Sequence, residues 1–258
     1  MSFQIPLQEQ LRRRRGMPSR LAAHFATSMS DVADAQRLRF RVFGEEMGAR
    51  LGKPEQGVDR DIFDPFCEHL LVRDAASGEV VGTYRILNGA QAKKIGGFYS
   101  DDEFDLVRLG HLRERIAEVG RSCVHPDYRN GATIALLWRG LAEYMRRHRY
   151  DYLMGCASIA MRDGGRMAAG LYQRLAREHL SPVEYRVFPR HPLPLEALEP
   201  EPDAPVPPLI KGYLKAGAWV CGEPAWDPDF NTADLLVLLP MSRLGARYAQ
   251  HFLRHPSR

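Results

Sequence analysis

Glu118 and Arg121 flank Gly120 in the run Glu118-Val-Gly-Arg-Ser-Cys-Val-His-Pro-Asp-Tyr-Arg-Asn-Gly-Ala132, whose residue types suit the transfer of an activated acyl group. A strand carboxylate can take the proton of an attacking amine, directly or through water. Exposed strand amides can polarise a thioester carbonyl, and free N–H groups at the start of the next helix can receive the phosphate of a pantetheine carrier. Such a site needs a strand that runs through the glycine turn straight into an amphipathic helix.

Regular strand geometry sets a condition on this reading. Residues three apart on a strand point to opposite faces, so Glu118 would lie with Gly120 and Ser122, and Arg121 with Val119 and Cys123. A bulge, for which Gly120 gives room, would bring Glu118 and Arg121 together and expose amides worth about 3 kcal/mol per donor to a tetrahedral oxyanion. The alternative for the two charges is a structural ion pair.

The elements that would position this run can be read along the chain. A strand is expected over 23–27, then a helix starting at Ser30 and Asp31 and running to about Met47. Within it Ala35, Leu38 and Val42 form a core stripe, while Arg39 and Phe43 share another face, with Arg39 near the core's edge. Residues 48–65 read as a functional loop carrying Asp59, Asp61 and Asp64. Strands at 68–73, 79–87 and 115–124 form an antiparallel meander, the first two joined by Asp74-Ala-Ala-Ser-Gly78.

A helix over 132–148, with Ile134, Leu137, Leu141, Met145 and His148 on one face, leads to a strand over 152–159; the unit should be right-handed. After a helix at 167–179, the segment 189–208 is too rich in proline for a regular element and reads as a surface excursion. A short helix at 209–216 and strands at 219–223 and 234–239 close the sheet. The fold class is α/β (α+β), a mixed, mainly antiparallel sheet flanked by helices, in one domain over 21–258 preceded by a basic arm at 1–20.

The 258 residues are 45% hydrophobic and 26% charged, ordinary for a globular chain, and the net charge of +4 is unevenly placed. Arg12, Arg13, Arg14, Arg15 and Arg20 crowd the arm, and Arg139, Arg146, Arg147 and Arg149 sit on or after one helix. An acidic partner is implied: an anionic membrane surface or an acidic carrier protein rather than nucleic acid, for which no binding motif is visible. Cys67, Cys123, Cys156 and Cys221 are far apart and follow no secretory signal. A reduced, cytoplasmic compartment is expected, with peripheral attachment to the inner membrane through the arm, and no metal site.

The order of elements resembles the GNAT acyltransferase superfamily, and Arg129-Asn-Gly-Ala132 resembles a reduced form of its acyl-donor loop. The resemblance implies donor contacts along Ser122, Cys123 and Val124 and at Arg129, Gly131 and Ala132. The shortened glycine pattern favours a carrier protein's phosphopantetheine, with one phosphodiester, over coenzyme A, and implies no tightly bound cofactor. Arg39-x-x-x-Phe43, Asp61-x-x-Asp64, Arg85 in Gly-Thr-Tyr-Arg, and Glu118-x-x-Arg121 recur in the branch that includes the acyl-homoserine-lactone synthases. An aromatic residue usual there soon after the Phe is missing, which makes lactone synthesis less favoured.

The run from Pro207 through Lys211-Gly-Tyr213 to Gly217, and Glu223-Pro-Ala-Trp-Asp-Pro-Asp-Phe-Asn-Thr-Ala-Asp234, resemble the bacterial ornithine lipid N-acyltransferases. These move a 3-hydroxyacyl group from acyl carrier protein to the α-amine of L-ornithine, giving lyso-ornithine lipid. The resemblance implies Glu118 as base beside Arg121 and Tyr213 as proton donor to the leaving thiolate, with Tyr172 a local mimic. Arg39 and Arg85 would meet the ornithine carboxylate and Asp61 and Asp64 an amine, with Phe43 beside them, unless those aspartates only order their loop. Transfer to another amine, and a noncatalytic protein that binds carrier protein or membrane, remain as alternatives.

Overall fold

A computed structural model describes residues 21–52 and 56–244; the basic arm at 1–20 lies outside them. The chain opens with β1 (Leu21–Phe25), then α1 (Met29–Arg39), whose N-cap is Ser28 rather than Ser30. The Ser28 hydroxyl accepts the Asp31 N–H, and the Asp31 carboxylate accepts back from the Thr27 N–H, so both residues serve the cap. The expected single helix to Met47 changes at Phe40 into a π-helical segment, Phe40–Glu46. Apolar periodicity does not distinguish the two forms, and π-turns inside helices often mark functional sites.

The meander follows as β2 (Glu68–Asp74), β3 (Val80–Asn88) and, after an insertion, β5 (Ile116–Val124). The insertion carries α2 (Gly89–Ile95), a short α3 (Ser100–Glu103), β4 (Phe104–Asp105) and a 3-10 segment, Val107–Arg115. Next come α4 (Ala132–His148), β6 (Tyr152–Ala160) and α5 (Arg166–Glu178). In the proline-rich stretch a short β7 (Phe188–Pro189) pairs with β4, while Leu193 and Ala204 are buried in the core. The chain then forms α6 (Pro208–Ala216), β8 (Trp219–Val220), β9 (Ala225–Asp227) and β10 (Thr232–Pro240).

Eight strands make one sheet in the order β1-β2-β3-β5-β6-β10-β8, with β9 also on β10. Every pairing is antiparallel except β5 with β6, as expected for strands joined by a helical crossover. β10 is buried along its whole length. Its Leu235, Val237 and Leu239 pack into the cluster that holds α4, α5 and α6, and Leu236 and Leu238 into the cluster on the other face, the period-two pattern of a central strand.

The β5–β6 pair positions the site. It is in register only at Ile116↔Tyr152, Ala117↔Leu153 and Glu118↔Met154; beyond Glu118 the strands separate. Gly155 sits at the parting, where an added Cβ would lie 2.2 Å from the Val119 carbonyl oxygen. On the far side of β5 the ladder with β3 is interrupted: Thr83 pairs with Cys123, but Arg85 pairs with Gly120. β5 therefore carries one extra residue, and Arg121 takes it up in the left-handed region at φ 50°.

Candidate active site

A cavity of about 770 Å³ opens where β5 and β6 part, lined by Glu118 and by every residue of β5 from Val119 to Val124. The bulge makes this possible. Without it the alternation of a strand would send Glu118 and Arg121 to opposite faces; with it both reach the cavity. A non-glycine residue at positive φ is uncommon and costs of order 1 kcal/mol or more, which the Arg121 side chain offsets with fixed partners. Its guanidinium lies 4.6 Å from the centre of the Phe230 ring and 5.0 Å from that of Tyr99, and 3.3 Å from both Asp59 and Asp61.

Glu118 is not paired with Arg121. Its Oε2 accepts the Tyr99 N–H at 2.8 Å, and its Oε1 accepts the Ser100 N–H at 2.8 Å and the Ser100 hydroxyl at 2.5 Å. Three donors fix the carboxylate and leave acceptor capacity on Oε2. Burial pushes its pKa up, against the lowering effect of these bonds and of the Arg85 charge. A carboxylate whose basicity is raised by burial and which is held at a cavity wall is equipped to accept a proton from an ammonium group or from water.

Arg39, Asp64 and Arg85 form a closed network behind this wall. Arg39 is completely buried rather than at the core's edge. It donates to Asp59 at 2.8 Å and in a fork to Asp64 at 2.9 and 2.8 Å. Arg85 donates to both oxygens of Asp61 at 2.6 Å and to Asp64 at 3.1 Å. Burial pushes Asp64 up, but the Arg39 hydrogen bonds and the Arg39 and Arg85 charges outweigh it and hold the carboxyl well below its ordinary range. With Arg121, three arginines face three aspartates. Asp61 and Asp64 also cap their own loop, Asp61 accepting the Phe63 N–H at 2.9 Å, so these aspartates act as loop-ordering ion-pair partners. Phe43 lines the cavity and stands edge-on to Phe230, 5.7 Å between ring centres.

At the other end of the cavity Gly131, at φ 90°, starts α4 without a side-chain cap. The Ala132 N–H goes to the Asn130 side chain at 3.1 Å. Thr133 and Ile134 follow in the first turn, where N–H groups have no carbonyl one turn back within the helix. Arg129 lines the cavity but forms a bidentate pair with Glu46 at 2.6 and 2.7 Å, tying the donor loop to the π-helical segment. Tyr213 lies behind the wall: its hydroxyl is 2.6 Å from that of Tyr84, and burial pushes both phenols up. Tyr172 is half-buried on α5.

Three thiols, Cys67, Cys123 and Cys156, also line the cavity. Burial pushes Cys67 and Cys123 up to about 12 and Cys156 up as well, so they stay protonated and are poor nucleophiles. This favours direct attack on the donor. Residues that sequence reasoning did not single out complete the site: Tyr99 and Ser100, which grip Glu118; Glu103, with Asp227 and Asp234 beside it; and Asp59, noticed only as part of an acidic loop. Three arginines matched against Asp59, Asp61 and Asp64 could have signalled Asp59; no local pattern marks the others.

Residues 38–139 match the model of the acetyltransferase (GNAT) domain. An L-ornithine N(alpha)-acyltransferase of Brucella abortus is 39% identical over 248 residues, covering 90% of this chain and 88% of that protein. The chain belongs to the L-ornithine N(alpha)-acyltransferase family. Among solved structures, FeeM, an N-acyl amino acid synthase from uncultured soil microbes, has the same fold with a TM-score of 0.55 at 14% identity, covering 90% of this chain and 98% of that one. A CoA-dependent acyl-homoserine lactone synthase, BjaI, solved with SAM and isopentyl-CoA, also scores 0.55 at 15% identity over 90% of this chain and 87% of its own. The expected acyltransferase fold, with its likeness to the lactone synthases, is thus borne out.

Proposed function

We propose that this chain moves a 3-hydroxyacyl group from acyl carrier protein to the α-amine of L-ornithine, forming lyso-ornithine lipid. The observation that carries the reading is the buried, three-times-anchored Glu118 at the mouth of the β5–β6 splay. The α-ammonium loses a proton to Glu118, directly or through water, and the neutral nitrogen so formed attacks the thioester carbonyl. The N–C bond forms as charge collects on the carbonyl oxygen beside the bulged β5 amides. The C–S bond then breaks as the attached nitrogen sheds its second proton, and the thiolate takes up that proton through the Ser122 hydroxyl, which lines the cavity and is held by Tyr84. The acyl tail lies among Phe43, Met47, Ile134, Trp138 and Leu209. Purified protein given ornithine and 3-hydroxyacyl carrier protein should yield acyl-ornithine, and faster than with 3-hydroxyacyl-CoA. An equal or higher rate with the CoA thioester would remove the carrier protein from the proposal.

The carrier protein's acidic surface meets the chain near the start of α4. Arg139 lies two turns along that helix, whereas Arg146 and Arg147 are in its last turn, ~20 Å from Ala132. Arg139→Ala should raise the KM for the donor severalfold with little change in kcat, and the Arg146→Ala and Arg147→Ala variants less so. The reverse order in steady-state kinetics would move the docking surface to the far end of the helix.

The arm at 1–20 provides attachment to anionic lipid, where the product belongs. Among the described residues no helix is long and apolar enough to cross a membrane. Removing residues 1–20 should weaken binding to phosphatidylglycerol vesicles, and added salt should do the same to the full chain. Binding that is unchanged by both would rule out electrostatic attachment.

A further inference from the structure

Resting on the amine-acylation reading above, we propose that the buried carboxyl pair Glu103–Asp234 is the specificity site for the distal ammonium of a diamino acid substrate. Asp234 is 4% exposed, lines the cavity, and has a buried Oδ1 with no hydrogen-bond partner. Both carboxylate oxygens of Glu103 are also buried and accept no hydrogen bond of good geometry; the nearest polar groups are the Asp234 carboxyl, with which Glu103 can share a proton, and the Tyr99 hydroxyl. Glu103, Asp234 and Cys156 bring their side-chain oxygen and sulphur atoms within 4.8 Å of one another. Asp227, another cavity residue, adds negative charge to both carboxyls. Two desolvated acids this close cannot both ionise at low cost unless something cationic meets them, and without a cation they share a proton.

The cation cannot come from the arginine network, because Arg39, Arg85 and Arg121 already face Asp59, Asp61 and Asp64. The same balance leaves those three aspartates without surplus charge for a substrate amine. An ammonium ion, with three donors, suits the acidic pair and its open Asp234 Oδ1. Burial and the neighbouring carboxylates push Glu103 up to about 9, so it holds a proton in the empty site and can give it up when a cation enters.

Position relative to Glu118 supports the assignment. The Ser100 hydroxyl that donates to Glu118 lies 3.3 Å from the Cys156 thiol, which borders the acidic pair. One hydroxyl and one thiol therefore separate the base from the proposed ammonium site. In extended ornithine the two nitrogens are ~6 Å apart, and a charge-assisted hydrogen bond at each end extends the reach to ~12 Å. A diamino acid can thus present its α-nitrogen to Glu118 and its distal nitrogen to Asp234.

Norvaline, which has ornithine's carbon chain without the distal amine, is the discriminating probe. Calorimetric Kd values and acylation rates are measured for ornithine and norvaline with wild type, Glu103→Gln, and Glu103→Gln/Asp234→Asn. Wild type should bind ornithine about 100-fold or more tightly than norvaline, since a site built around a substrate's polar group rejects an analogue lacking it. The double variant should bring the ratio within about threefold of unity, and Glu103→Gln alone should give an intermediate value. Both should fold, because neutral amides replace mutually repelling carboxyls; if the double variant does not, the wild-type ratio and the single variant decide.

A double variant that keeps the preference, or a wild type that binds the two ligands equally, would overturn the assignment. A tightly bound divalent metal at the pair, with no selectivity between the amines, would do the same. Selective ornithine binding without acyl transfer would leave the ammonium site standing while the catalytic reading fell.

Discussion

Glu118→Gln is expected to lower kcat for amide formation by about 10²- to 10⁴-fold, the range for loss of a positioned general base. The amide is nearly isosteric and its single oxygen can keep both Ser100 bonds, but its NH2 group faces the Tyr99 N–H, so near-ultraviolet circular dichroism should change little while the melting temperature falls by about a few degrees. The pH profile separates a base from a structural residue. Burial holds the Glu118 pKa above its ordinary value, so wild-type kcat should fall with unit slope as the pH drops through that raised pKa and the carboxyl takes up its proton. The glutamine variant should lose this limb and leave a flat residual rate. A variant that keeps the acidic limb would assign it to another group.

Arg39→Met is expected to cost about 3–5 kcal/mol of stability, because it leaves Asp59 and Asp64 buried with their principal donor removed. In a chain of this size that corresponds to a melting temperature lower by roughly 10 °C. The pH dependence has a definite sign. Asp64 has a folded-state pKa well below its ordinary 3.8, so its contribution is fully present above that value and is lost as the pH falls toward the depressed one. Wild type should therefore lose stability on acidification in this range, and Arg39→Met should show a shallower decline. Urea melts at several pH values would measure both. A loss under 1 kcal/mol would mean that Arg85 and Arg121 suffice to neutralise the loop.

Much of the architecture was legible because apolar periodicity is a strong signal where an element buries one face. The stripe Leu137, Leu141, Met145 places α4, and the meander and the last long strand fall within a few residues of their expected bounds. Boundaries failed where hydrogen bonding rather than patterning decides. The first strand covers Leu21–Phe25 instead of 23–27, the last part of the first helix is π-helical, and the expected strand 219–223 is two short pieces at 219–220 and 225–227. Residues 88–114 carry no clear periodicity in the sequence, and they supply Tyr99, Ser100 and Glu103.

The site was legible in its residue types but not in its partnerships. Glu118 and Arg121 could be chosen from the chemistry, and a bulge could be anticipated from the odd spacing, but it is centred on Arg121 in left-handed conformation rather than on Gly120. Arg39 and Arg85 looked like ligands for a substrate carboxylate. Only their burial beside Asp59, Asp61 and Asp64 shows that their charge is already matched. A sequence carries no direct record of which charges meet across 20 or 60 residues. It could not reveal the open Oδ1 of Asp234 either, since a single aspartate in an apolar strand gives no sign of its cross-sheet neighbours.

Fragmentation mass spectrometry of the product formed from ornithine and 3-hydroxyacyl carrier protein tests the central claim most directly, because it locates the new amide bond. The geometry predicts acylation on the α-nitrogen beside Glu118, a free distal amine, and near-complete loss of product with Glu118→Gln. An amide on the distal nitrogen, or the same product from the glutamine variant at an undiminished rate, would contradict it.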